Sequence, residues 1–342
     1  MPWPKISLSA KVAIVLLLIF FLICSTSITK KFLTVDESLY IVSGYSYLKT
    51  LDFRMNPEHP IFAKILYGVP LLFLNPELPA GNENWKKMEK HIDVGANYGF
   101  AADFYKTNLK KFRTIVFSAR LVAILLSLLL GLLIFLWTRE LFGSKAALLA
   151  LFLFCFEPNV IAHSRLATLD MPLALFVFAS FYFFWKFARS SKPVFLLASA
   201  IAISLATLTK YTALLFFPLL FLFIILQHKT LSKNRANFFK QRNILFYYTF
   251  IFSVLVLAPI ILANFLYAFE GYKQNYCFFV PARMYEGFNF IKEWVQSGRE
   301  GYLFGEFRKY IPEYFLVAFL IKTTLPLPVS YTHLTLPTIC SV

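Results

Sequence analysis

Asp36 and Glu37 form an adjacent acidic pair in TVDESLYIVSGYSYL, directly after an apolar run that ends near Ile28. A carboxylate at the edge of a bilayer, partly withdrawn from water, can act as a general base on a hydroxyl group. Asp36 is the candidate base and Glu37 its orienting partner. The same residues fit a capping box, with Thr34 as N-cap and Glu37 three residues on, opening a helix through Tyr47; the two readings can coexist. Further on, NPEHP (Asn56 to Pro60) sets Glu58 and His59 between two prolines that restrict the local chain. Zinc takes three or four ligands, so this pair alone is weak evidence for a metal, and a turn toward the next segment is the simpler reading. Lys64 follows one turn later, where its ammonium could meet an anionic headgroup or reach back to water.

A second polar stretch, HSRLATLDMP (His163 to Pro172), brings Arg165 and Asp170 between apolar runs. Asp170 fits a helix N-cap with Pro172 in the first turn, and Arg165 could simply pair with an acid. A guanidinium beside the bilayer can also bind a phosphate through two parallel hydrogen bonds or hold a catalytic carboxylate. Lys210, between two apolar runs, is either a lysine reaching to the interface or a phosphate ligand. Gly305 and Glu306 lie in an aromatic-rich approach to a last apolar run that contains Lys322; an interfacial aromatic belt accounts for the Tyr and Phe there but not for the lysine.

What must position these residues is a membrane scaffold. Of 342 residues 58% are hydrophobic and 15% charged, with a mean hydropathy of +0.64, against roughly 25% charged in soluble domains. Apolar runs recur at about 12–28, 114–137, 146–156, 171–187, 194–208, 212–226, 244–269 and 314–329. Several approach the roughly 20 residues that cross the hydrocarbon, so about eight helices are expected. None alternates with period two as a barrel strand would, and the expected class is an all-α polytopic membrane protein. Residues 1–29 read as an uncleaved first helix, because no small-residue cleavage site follows the apolar run.

The net charge of +16 lies between apolar runs and comes with no recognition motif, so it points to membrane orientation and anionic ligands and not to nucleic acid. Arg139 and Lys145, then Lys186, Arg189 and Lys192, then Lys229, Lys233, Arg235, Lys240 and Arg242 mark three connecting loops as cytoplasmic. The opposite, extracytoplasmic face then receives the long segment 30–113, the loop 157–170, the turn at Lys210 and the segment 270–311. Within the first of these, Ile61 to Leu74 is too short to span and is expected along the interface. Four cysteines, Cys24, Cys155, Cys277 and Cys340, show no pairing logic or zinc spacing.

Taken in order, DESLY with GYSYL, NPEHP with Lys64, HSRLATLDMPLALF, YLFGE and YFLVAFLIKTTLPLP resemble the successive motifs of the GT-C membrane glycosyltransferases, in the branch of the protein O-mannosyltransferases and lipid A aminoarabinose transferases. The similarity covers about residues 10–329. It implies a GT-C-type helical bundle whose long first extracytoplasmic loop carries interfacial helices. It also implies inverting transfer of a sugar from a polyprenyl-phosphate donor to an extracytoplasmic acceptor, in a bacterial inner membrane, with no cofactor or metal required. By resemblance Asp36 and Glu37 are the catalytic acids. Glu58, His59, Lys64, Arg165, Asp170, Lys210 and Glu306 are substrate-binding residues, with Lys210 toward the donor phosphate. TTLP after Lys322 departs from the commoner TPLP. A lipid or polysaccharide transporter is the main rival, and it would need mid-membrane charges and inverted repeats that the sequence does not display; an inactive scaffold of the same fold is the other. Residues 1–329 read as one glycosyltransferase domain, incomplete at its C-terminus, and the tail 330–342 as non-native.

Overall fold

The computed structural model describes residues 7–29, 31–89, 92–227, 230, 244–268, 279–298, 300–309 and 311–322. Helix α1 (Leu8–Ile28) starts at Ser7, whose hydroxyl accepts from the Ala10 N–H, satisfying one of the open donors of the first turn. Four more helices, α2 (Val35–Thr50), α3 (Phe62–Leu74), α4 (Glu83–Lys87) and α5 (Val94–Thr107), fill the long segment before α6 (Phe112–Phe156). Gly143, at φ 83° and ψ 178°, breaks α6 between the two apolar runs read there; a side chain would strain that backbone. There follow α7 (Pro158–Ser164), α8 (Asp170–Ser190), α9 (Pro193–Thr207), a 3₁₀ turn at Tyr211–Leu215, α10 (Phe216–Leu226) and α11 (Ile244–Leu266).

Every apolar run is helical within the described residues, and the fold is a polytopic helical membrane fold. Among the described residues four stretches are long and apolar enough to cross a bilayer: Leu8–Ile28, Leu109–Phe156, Asp170–Ser190 and Tyr248–Leu266. One of these, Leu109–Phe156, is 48 residues long and holds two of the expected apolar runs on either side of the Gly143 break. Phe62–Leu74, Pro193–Thr207 and Tyr211–Leu226 are shorter apolar helices, the last two parted by extended backbone at Lys210. The basic residues Lys229, Lys233, Arg235, Lys240 and Arg242, together with Cys277 and the tail 330–342, lie outside the described residues.

α1 packs along α6, α8 along α6 and α9, and α11 along α9. The Ser199 hydroxyl donates to the Ser180 carbonyl at 2.8 Å, tying α9 to α8 where Ala200 and Ala188 let the backbones approach. A separate core joins α2, α3, α5 and the start of α6, with Tyr45, Tyr67, Phe100 and Phe104 fully buried. Its tightest point is the α2–α3 crossing. A Cβ on Gly44 would lie 1.7 Å from the Lys64 carbonyl oxygen, and one on Gly68 2.4 Å from the Gly44 carbonyl carbon. Only glycine fits at either position, which is the structural use of the GYSYL motif.

After α11 come α12 (Ala282–Gln296), strands β1 (Glu300–Leu303) and β2 (Glu306–Lys309), and α13 (Tyr314–Lys322). The antiparallel hairpin, with Leu303 opposite Glu306, is the one strand pair among the described residues of this otherwise helical fold. Its two-residue turn puts Phe304 at φ 53° and Gly305 at φ 91°, the conformation such turns require. The GE of YLFGE is therefore turn and strand.

Candidate active site

The NPEHP loop is held rigidly from several sides. Asn56, at φ 49°, donates its N–H to the buried Asn97 side-chain oxygen at 2.7 Å, and the Tyr47 hydroxyl donates to the Met55 carbonyl. Lys64 is fully buried beneath the loop and gives its ammonium protons to the carbonyls of Asn56 and His59. The rings of Tyr40 and Tyr47 each lie 5.9 Å from its nitrogen. Burial brings the Lys64 pKa down to about 7, against the opposing pull of the Glu58 charge. Far from facing a headgroup, Lys64 is a brace for the loop that carries Glu58 and His59.

From above, α12 presses onto the same loop. A Cβ on Gly287 would fall 1.7 Å from the Pro57 carbonyl oxygen, and the Tyr211 hydroxyl donates to the Met284 carbonyl at 2.7 Å. The Phe62 N–H donates to the Leu208 carbonyl at 2.8 Å, fixing the start of α3 to the end of α9. Segments from α2, α3, α5, the α9 end with its 3₁₀ turn, and α12 thus meet around NPEHP.

Glu37 does not orient Asp36. It is fully buried and accepts five hydrogen bonds: from Thr34 N–H at 3.0 Å, the Thr34 hydroxyl at 2.9 Å, Arg120 Nε and Nη2 at 2.8 Å each, and Ala167 N–H at 2.9 Å. The capping box forms, and the same carboxylate reaches on to α6 and to the α7–α8 connection. Burial works to raise the Glu37 pKa, but the hydrogen bonds from Arg120, Ala167 and Thr34 outweigh it and hold the carboxyl below its ordinary value.

Arg120, also fully buried, spends its three remaining protons on the carbonyls of Ile28, Lys31 and Phe32. All five guanidinium donors are used. The pair locks the exit of α1, the entry of α2 and the residue Ala167 into one geometry. Sequence reading missed Arg120, although a lone arginine inside an apolar run is the signal that could have found it.

Asp36 is exposed one turn before Tyr40, and among the described residues no side chain pairs with it. Around the nearly buried Tyr40, the negative charges of Asp36, Asp170 and Glu58 gather from three segments. Burial first, then these charges, push its phenol pKa up. Tyr98 on α5 is raised in the same way by burial, Asp36 and Glu58. Tyr40 also meets the His59 ring edge-on at 6.1 Å. Asp170, in the first turn of α8, pairs with Lys210 at 2.8 Å and faces the His163 ring nitrogen at 3.8 Å. Tyr40, Tyr98 and His163 complete a group that the sequence left unassigned.

Arg165 is half-buried at the C-terminal end of α7, where its N–H donates to the His163 carbonyl; its side chain lies within electrostatic reach of Cys24 on α1 and has no hydrogen-bond or ion-pair partner among the described residues. Its connection is anchored to α2 by the Ala167 N–H donating to Glu37 at 2.9 Å and to α3 by the Tyr67 hydroxyl donating to the Thr168 carbonyl at 2.5 Å. Glu306 stands apart. It is exposed on the hairpin and pairs with Arg308 at 3.6 Å, and no contact brings it to the Tyr40 group. The Lys322 carbonyl accepts from Asn159 at 2.7 Å, which sets the end of α13 beside α7. Among the described residues no three His, Cys, Asp or Glu side chains are grouped to hold a metal.

Around Tyr40 the site therefore offers the exposed carboxylate of Asp36, with no side-chain partner among the described residues, and the Asp170–Lys210 pair, a set suited to deprotonating a hydroxyl in the presence of an anion. Residues 109–263 match the model of the dolichyl-phosphate-mannose-protein mannosyltransferase family. The match agrees with GT-C superfamily membership, the kinship read from the motifs. It supports a mannosyltransferase-type membrane glycosyltransferase. The matched segment runs from the foot of α6 into α11 and includes Arg120, Arg165, Asp170 and Lys210, while α2 and the NPEHP loop precede it. No curated protein and no solved structure matches the chain.

Proposed function

We propose that the protein transfers a sugar from a polyprenyl-phosphate donor to an acceptor hydroxyl, with inversion, on the extracytoplasmic side of a bacterial plasma membrane. The observation that carries this reading is that the exposed Asp36 and the Lys210-paired Asp170, from two separate segments, both lie within electrostatic reach of Tyr40. Asp36 takes the proton of the acceptor hydroxyl, the freed oxygen attacks the anomeric carbon, and the bond to the lipid phosphate breaks with its electron pair leaving on phosphate. A base on the sugar face opposite the phosphate produces inversion through a cation-like transition state. Lys210, held by Asp170, and Arg165 neutralise the charge that develops on the phosphate, each worth about 3 kcal/mol when well placed. Glu58 and His59 border the sugar. No cofactor or metal enters the scheme.

The test is Asp36→Asn, assayed for transfer from radiolabelled polyprenyl-phosphate sugar. Loss of the base lowers the rate by about 10² to 10⁴. The exposed position predicts an unchanged thermal melt, within about 0.5 kcal/mol. A variant that transfers at the wild-type rate removes Asp36 from the mechanism.

A further inference from the structure

At the opposite end of α2 from Asp36, about 20 Å along the helix, a second pocket of about 880 Å³ opens between the C-terminal ends of α2 and α3 and the residues leading into α6. We infer that it binds the phosphate headgroup of an anionic bilayer phospholipid. Three lysines line it, Lys49, Lys110 and Lys111, against one carboxylate, Glu77. Lys49 donates to the Asn75 side chain at 2.8 Å, and Lys111 to the carbonyls of Leu74 at 2.9 Å and Asn75 at 3.2 Å. Lys110 has no hydrogen-bond or ion-pair partner among the described residues, so at least one full ammonium faces the pocket uncompensated.

The wall of the pocket is preformed. The Tyr45 hydroxyl donates to the Pro76 carbonyl at 2.8 Å, and the buried Asn108 side chain both accepts from the Glu77 N–H at 2.9 Å and donates to its carbonyl at 2.8 Å. A ligand here does not have to order the loop, which lowers the entropy cost of binding.

Its position selects a lipid. The helical stretch Leu109–Phe156, which contains a segment long and apolar enough to cross the bilayer, begins at Leu109, itself one of the lining residues. Leu109 is 71% exposed and Phe73, at the end of α3, 87% exposed. Apolar side chains turned outward beside a basic pocket, at the end of a spanning helix, match the two halves of an anionic phospholipid: acyl chains along Leu109 and Phe73, phosphate among the lysines. The inference is independent of the catalytic reading, since no residue of the Tyr40 group takes part.

The experiment places the protein in nanodiscs of equal parts phosphatidylglycerol and phosphatidylcholine and counts retained lipids by native mass spectrometry. Preferential retention of phosphatidylglycerol is expected. Each lysine near the surface contributes about a fivefold factor, so Lys110→Gln, which breaks no hydrogen bond, lowers retention about fivefold and Lys49→Gln/Lys110→Gln more than tenfold. Glu77→Gln moves it the other way, an increase no unfolding artefact would give. Equal retention of the two lipids, or retention unchanged in all three variants, overturns the inference. Displacement of the lipid by millimolar glycerol 3-phosphate overturns the lipid assignment and makes the pocket a site for soluble phosphate esters.

Discussion

Removing the Glu37 charge separates a catalytic role for that residue from the structural one its geometry supports. In Glu37→Gln the Arg120 guanidinium remains buried with no counter-charge, and one amide group must replace a carboxylate that accepts five hydrogen bonds. The incoming NH₂ faces donors on every side and can satisfy none of them. Breaking a fully buried ion pair from one partner costs about 3–5 kcal/mol. For a chain of this size the loss is a drop of roughly 10 °C in the melting midpoint. Arg120→Met should be the more damaging variant, because it also strips the donors from the Ile28, Lys31 and Phe32 carbonyls.

The assay is thermal denaturation in detergent with transfer activity measured on the same samples. Activity per folded molecule should fall in Glu37→Gln far less than in Asp36→Asn. The carboxyl's lowered pKa adds a pH signature. An acid whose folded pKa lies below its ordinary 4.5 contributes stability that is fully present above that pH and is lost as pH falls through the folded value. The wild type should therefore lose its stability advantage over Glu37→Gln only below about pH 4.5. A Glu37→Gln protein that melts with the wild type across pH 5–8 refutes the clamp.

Three further outcomes follow from the packing and charges. Lys210→Gln should reduce transfer about 10²- to 10³-fold, while the half-exposed Asp170–Lys210 pair limits the stability cost to under about 1 kcal/mol; an activity loss tracking unfolding would argue against phosphate contact. Gly44→Ala forces a Cβ against the Lys64 carbonyl and should cost about 3 kcal/mol or more, read as poor folded yield and an early melt. For Lys64, whose folded pKa of about 7 lies below its ordinary 10.5, the unfolded chain holds the proton in between, so stability relative to Lys64→Met should rise with pH above about 7, by at most about 1.4 kcal/mol per unit; a flat difference would mean the lysine stays charged.

The helical membrane class, the positions of the apolar runs and the acidic cap at Asp36–Glu37 were legible in sequence because each is a local property: run length, composition and a three-residue spacing. The motifs also carried the kinship that the family match over residues 109–263 supports. Which acid is exposed and which is sealed was not legible, since Asp36 and Glu37 are neighbours with the same chemistry and only the helix turn sends one to the surface and the other to Arg120, 83 positions away. The hairpin at Glu306 escaped for a related reason: an aromatic-rich polar stretch looks like an interfacial approach until its turn geometry is known. Lys64 likewise looked free in a linear reading and is buried because α2 and α3 cross at glycines from two separate segments. By itself the sequence determined the membrane scaffold and the residue types available for chemistry. The tertiary structure decided which charges neutralise one another and which are left to act, because long-range pairing and burial depend on contacts that no local spacing encodes.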